Sequence, residues 1–260
     1  MALQIVVRET AFGKSVPPAA PEEAARRLAA TRDPLIHIAT RCATEHRHVA
    51  AGAEFAAFVE SGRYLFVVLD GWLCRETILE DGRRQVLDFL LPGDLIVGAR
   101  QTDSSMPQSI EAITDATIAV IPLSAVNDLA TKQPSLALTL LEASQRALLT
   151  AYENLVDTGR RTSLEAVADF ILRMESRAAA AIGRTRDGSV PFPLIQEHIG
   201  DAIGLTAVHV CRTLRKLKAA GAIETGRGWL KITDRAHLGA IAGICLPDDE
   251  DEIAPRQLAS

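Results

Sequence analysis

The chain has 260 residues, room for one large domain or two ordinary ones, and its 48% hydrophobic and 23% charged residues are those of a globular protein. Nothing approaches the roughly 18 apolar residues of a transmembrane helix, the start MALQIVVRETAFGK lacks a basic prelude, and Cys42, Cys74, Cys211 and Cys245 form no CxxC pair, so a membrane span, a signal peptide, a disulfide framework and a zinc site are all unexpected in what reads as a cytoplasmic protein. The net charge of −5 hides a division: residues 160–235 hold 13 Lys/Arg against 8 Asp/Glu, the remainder 15 against 25, as suits a basic nucleic-acid reader fused to an acidic sensor.

Residues 1–30 contain Pro17-Pro18 and Pro21 and read as an irregular arm, then a helix from about Pro21 to Ala30 that leads into core residues near Leu35–Ile38. Residues 31–128 form the next unit. From Glu45 to Pro122 short apolar runs alternate with turns at Asp70-Gly71, Asp81-Gly82 and Pro92-Gly93-Asp94, and Asp-Gly between apolar runs signals a hairpin. Some eight regularly spaced strands predict a small barrel or jelly roll, able to hold a ligand or to be packed solid. Cys42, His46 and His48 form a C-x3-H-x-H group with Glu45 and Glu54 nearby, and His46 and His48 share one side of a strand. This is the one weak metal candidate. Solvated histidines are the simpler reading, and no cofactor is expected.

Residues 129–159 are expected to form a long helix. Leu138, Leu141, Gln145, Leu148, Tyr152 and Leu155 follow a 3-4-3-4-3 spacing, a heptad seam with one polar interruption. Leu136, Leu140, Ala147 and Ala151 make an adjacent stripe. Two stripes need two surfaces, one on the roll and one on a second copy of the chain, so a homodimer is expected. Thr162-x-x-Glu165 is a capping box that starts the last unit, 160–245, with a helix running to about Ile182 whose core face is Phe170, Ile171 and Met174. GRTRDGSVPFP is read as a loop, and the tail 246–260 is acidic and expected to be disordered.

Residues 196–218, QEHIGDAIGLTAVHVCRTLRKLK, read as two helices about a turn at Gly204-Leu205. Ile199, Ile203, Leu205, Val210 and Leu214 would share one small core, with Gly200 at the closest approach, Gly204 ending the first helix and Thr206 capping the second. AIETGRGWLKITD follows as a hairpin, a wing closed by Gly-Arg-Gly. The partner implied is double-stranded DNA. Ala207, Val208, Cys211, Arg212, Arg215 and Lys216 are expected on the exposed face of the second helix, with Arg212 reading guanine. Thr206, His209, Arg215, Lys216, Lys218 and Arg227 are expected on phosphates. Cys211 is also a redox candidate, since Arg215 and Lys216 favour a thiolate and oxidation would put bulk against the groove. The simpler reading is a small residue that fits.

A strand roll, a long dimer helix and a winged helix-turn-helix, in that order, resemble the Crp/Fnr family of bacterial transcription regulators over about residues 35–243. The most specific stretches are DGRRQVLDFLLPGD (81–94) and residues 194–233. The resemblance implies an α+β architecture, with an N-terminal β-roll sensor of the cyclic-nucleotide-binding type, a dimerisation helix and a C-terminal winged helix-turn-helix. It implies a homodimer on an inverted repeat, its reading helices about 34 Å apart, and contact with RNA polymerase. Cyclic-nucleotide binders of the family carry Gly-Glu after the Pro-Gly-Asp loop and an Arg-Ser-Ala turn. Here the stretches read GDLIVGAR and MPQSIEAI, with Gln108 and no arginine in the second, so the cation a cyclic phosphate needs is missing and cyclic AMP is not expected. The cysteines for a four-thiolate iron–sulfur cluster are also missing. Val208 stands where the best-known members read DNA with glutamate, whereas Arg212 matches the family's guanine-reading arginine. The signal is left open between a ligand of the roll and cysteine redox state. The alternative, a cupin-like metal enzyme, starts from HRHVAAGAE (46–54), but no histidine occurs between His48 and His198 to complete its ligands. No nucleophile–base pair is found either, so the chain is not read as an enzyme.

Overall fold

The computed structural model describes residues 34–55, 63–97 and 108–244. The helix expected over Pro21–Ala30, Cys245 and the acidic tail lie outside them.

A short helix α1 (Pro34–Cys42) precedes seven strands: β1 (Glu45–Val49), β2 (Tyr64–Asp70), β3 (Leu73–Ile78), β4 (Arg84–Leu90), β5 (Leu95–Val97), β6 (Ser109–Ala112) and β7 (Ala116–Pro122). They pair antiparallel in two sheets, β1-β7-β2-β5 and β4-β3-β6, and a bridge between Glu54 and Glu111 adds a further pairing. Strand β2 shows how the sequence sets this. Its run YLFVVLD is apolar without alternation because both faces are covered: Phe66 and Val68 point between the sheets with Ile96, Ile110 and Ile118, while Leu65, Val67 and Leu69 point outward under α1. Gly71 turns β2 into β3 at φ 87°, and a Cβ there would lie 2.4 Å from the Asp115 carbonyl oxygen, so glycine is required twice over.

Helices α2 (Leu123–Lys132) and α3 (Ser135–Gly159) follow. The long helix expected from residue 129 is interrupted at Gln133-Pro134, because the residue before a proline is pushed out of the helical region; Gln133 has φ −136° and ψ 84°. On α3 the packed stripe is Leu136, Leu140 and Ala143, continued by Asn154 and Asp157; Ala147 and Ala151, expected on that stripe, are exposed. The heptad residues face solvent, with Leu138 62% and Leu155 70% exposed.

The C-terminal unit comprises α4 (Ser163–Ala181), β8 (Val190–Pro191), α5 (Gln196–Ile203), α6 (Ala207–Ala219), β9 (Ile223–Gly226), β10 (Trp229–Ile232) and α7 (Arg235–Ala242). The expected capping box is present: Thr162 Oγ1 accepts the Glu165 N–H, and the Thr162 N–H donates to Glu165 Oε2 at 2.7 Å. Strand β8, inside the stretch read as a loop, completes the sheet β8-β10-β9.

This unit and the roll share one core. Trp72, Val86, Phe89, Leu91 and Ile113 from the roll pack with Phe170, Ile171, Met174 and Phe192, and Trp72 meets Phe192 edge to face at 6.1 Å. Arginines line the seam. Arg177 donates to Asp88 at 3.0 Å, Asp94 at 2.9 Å and the Phe89 carbonyl at 2.7 Å. Arg84 joins Asp201 on α5, at 2.8 Å, to Glu76 and Glu111 in the roll. At the α3–α4 elbow, Arg161 and Arg173 alternate with Asp157 and Asp169. An apolar seam closed by ion pairs holds two domains in one relative position, against the default of loose domains.

Candidate nucleic-acid interface

The two-helix element is assembled at backbone distance. Helix α5 ends on Gly204, left-handed at φ 71°. A Cβ on Gly200 would lie 2.3 Å from the Leu205 carbonyl oxygen, so any larger residue there pushes the turn away from α5. Thr206 caps α6 as its sequence predicts, its Oγ1 accepting the His209 N–H at 3.3 Å. Val210, Thr213 and Leu217 are buried at spacings of three and four. Leu217 was not among the expected core residues, although it continues the period of Val210 by two turns; Leu214, expected in the core, is only partly buried.

That buried face fixes the opposite one. Val208 is 67% exposed, and Thr206, His209, Arg212, Arg215 and Lys216 are exposed with it; Ala207 and Cys211 are half-buried at the edge. On the wing, Arg227 occupies the tip of the turn between β9 and β10 and is exposed. Lys218 donates to the Thr225 carbonyl at 3.3 Å and so ties the end of α6 to the wing.

The cations of this face differ from those that line the seam between the two units. Among the described residues Arg212, Arg215, Lys216 and Arg227 make no ion pair, whereas Arg84, Arg161, Arg173, Arg177, Arg184 and Arg235 are all paired with carboxylates. Cations without internal partners, on a helix that projects from its core, attract a polyanion and release its counterions on binding. His198 is of another kind. It is buried on α5, where loss of solvent and then the nearby Arg84 charge hold its pKa down to about 4 against the pull of Asp201, so it is neutral and its Nδ1 accepts the Ile195 N–H.

The remaining candidates are dispersed. His48 Nδ1 lies 3.2 Å from Thr117 Oγ1, and His46 is exposed with His48 along an open cleft beside Glu45, Glu54 and Phe55. Cys42 packs at the end of α1 against the apolar cluster beneath the first sheet. Among the described residues no group of three or more His, Cys, Asp or Glu is close enough to hold a metal. Cys74 is fully buried and, chiefly through burial, its thiol is pushed far above the usual range, which leaves it unreactive. Among the described residues no helix is long and apolar enough to cross a membrane.

Comparison with known proteins matches this geometry. Residues 165–241 match the Crp-like helix-turn-helix domain, and residues 46–133 match the cyclic nucleotide-binding domain. The nitrogen fixation regulation protein FixK of Bradyrhizobium diazoefficiens is 31% identical over 198 residues, covering 75% of this chain and 81% of that protein. The transcriptional activator protein FnrL of Cereibacter sphaeroides is 32% identical over 176 residues, covering 66% and 68%. Among solved structures, FixK2 from Bradyrhizobium japonicum superposes with a TM-score of 0.65 at 26% identity, over 78% of this chain and 98% of that one.

Proposed function

The chain belongs to the Crp/Fnr family of transcription regulators, and we propose that it acts in the cytoplasm as a homodimer that reads an inverted-repeat DNA site, under a signal other than cyclic AMP. It is a regulator and not an enzyme. The observation that carries the finer reading is the face of α6, where Arg212, Arg215 and Lys216 stand exposed and, among the described residues, without ion pairs. Arg212 lies one turn beyond Val208, so the two reach neighbouring base pairs, the arginine forking onto a guanine and the valine touching a thymine methyl. Thr206, Ala207, His209, Arg215, Lys216 and Arg227 flank them on sugar and phosphate.

Dimerisation is supported by the α3 seam. Leu138, Leu141, Leu148, Tyr152 and Leu155, with Gln145 among them, leave an apolar stripe in water that a second copy would cover. Control is proposed as a population shift: a change in the roll, or at a cysteine, alters the angle between the two reading helices. Cys211 is the cysteine on the reading face, and its oxidation would place bulk between α6 and the groove. Peroxide sensitivity of DNA binding that persists in Cys211→Ser would eliminate that route.

Selection of bound duplexes from a random pool by the reduced protein, with no ligand added, tests the whole reading. Recovery of an inverted repeat with half-sites one turn apart is expected. Enrichment of a single unrepeated site would overturn the homodimer. No enrichment with or without small molecules from cell extract would overturn sequence reading altogether.

A further inference from the structure

Two tryptophans occur in the chain, and they are placed in opposite ways. Trp72 is 3% exposed in the seam core. Trp229 opens β10 beside the wing turn and is 37% exposed. Strand alternation sends Leu230 into the core and Trp229 outward, so the largest apolar side chain of the wing is not there to fill the interior.

Trp229 is nevertheless fixed. Its cross-strand neighbours are Pro191 on β8 and Gly226 on β9, and a Cβ at Gly226 would lie 2.1 Å from the indole Nε1 and 2.4 Å from Cε2. The indole therefore lies on bare backbone in space that any other residue would occupy, with its nitrogen edge on Gly226. Among the described residues its N–H has no hydrogen-bond partner. The adjoining Arg227 has no ion pair among the described residues, and Lys218 is anchored at Thr225, one residue before Gly226. A donor held in place without burial, beside an uncommitted cation at the tip of a wing, suits one kind of partner: the oxygens of a nucleic-acid backbone phosphate.

We infer that Trp229 is a positioning contact of the wing, its indole N–H donating to a DNA backbone phosphate next to the one met by Arg227, and that Gly226 is required to seat it. This rests on the DNA-reading function proposed above and adds to it a neutral contact. A neutral donor displaces no condensed counterion, so its loss lowers affinity without changing the salt dependence, unlike the loss of Arg227 or Lys216.

The test uses the full chain and labelled duplexes, both the one recovered by selection and a scrambled one. Trp229→Phe keeps an aromatic ring on the strand and removes the pyrrole edge with its N–H. It is expected to weaken binding to both duplexes by about 3–10-fold, the order of one net hydrogen bond, with an unchanged slope of log affinity against log salt. Gly226→Ala is expected to do the same by displacing the ring, while Arg227→Ala flattens the slope. In Trp72→Phe the only indole left is Trp229, and its quenching by iodide should fall when duplex saturates the protein, with binding scored separately from the duplex label. Wild-type affinity of Trp229→Phe, or unchanged iodide quenching in a complex shown to be formed, overturns the inference and leaves DNA reading standing. Failure of the unsubstituted chain to bind either duplex overturns both.

Discussion

The seam between roll and reader and the exposed face of α6 are both rich in arginine, and they use it in opposite ways. In the seam Arg84, Arg173 and Arg177 are half-buried and each meets two or more carboxylates. On α6, Arg212 and Arg215 meet none among the described residues. A guanidinium withdrawn from water must be matched by internal acceptors, whereas one left in water keeps its charge available to a partner. The paired arginines therefore help hold the two units together, whereas the exposed arginines of α6 keep their charge available.

Four substitutions sharpen or break that distinction. The largest effect is expected from Arg177→Met, which leaves Asp88 and Asp94 facing each other across the seam and should destabilise the fold by about 3 kcal/mol in urea unfolding at neutral pH. Burial already raises the Asp94 pKa, so removal of Arg177 raises it further. The native state of the variant then binds more protons than the unfolded chain, and its deficit should shrink as pH falls through the carboxylate range. A deficit that does not depend on pH would mean that the ion pairs are not its source.

His198 gives the opposite sign in the same seam. Its pKa is about 4 when folded, below the usual 6.5, so the unfolded chain takes up a proton first as pH falls. Stability should drop from about pH 6.5 downward, by roughly 2–3 kcal/mol by pH 4, and His198→Gln should flatten that part of the curve. An unchanged curve would remove His198 as its cause.

On the reading face, Arg212→Ala should cost roughly 1–3 kcal/mol at one base pair per half-site and relax the preference there, with no loss of fold stability. Equal weakening on every sequence would show that Arg212 holds phosphate instead. Lys216→Ala is expected to have the smallest effect, an even weakening across sequences with the salt slope reduced by about one unit, measured on selected and scrambled duplexes alike.

The reading element was legible because its signals are local. Gly204 and Thr206 act on their own turn, Thr162 and Glu165 on theirs, and Gly71 shapes one hairpin. The division of the long helix was written in Pro134 and went unread beside the heptad spacing. Strand β8 could not be found by alternation, since two residues carry no period. The seating of Trp229 was hidden because Gly226 looks in sequence like one more turn glycine.

What the sequence by itself determined is the order of roll, long helix and reader, the capped helix pair with its wing, and which face of α6 is free, the last two being properties of residues within a turn or two of each other. The tertiary structure alone decided that roll and reader share a core, and that Arg84 and Arg177 reach carboxylates 117 and 83 positions away. An isolated arginine carries no mark of its partner. Only when the chain brings distant carboxylates to the same boundary does it become clear which arginines are neutralised within the fold.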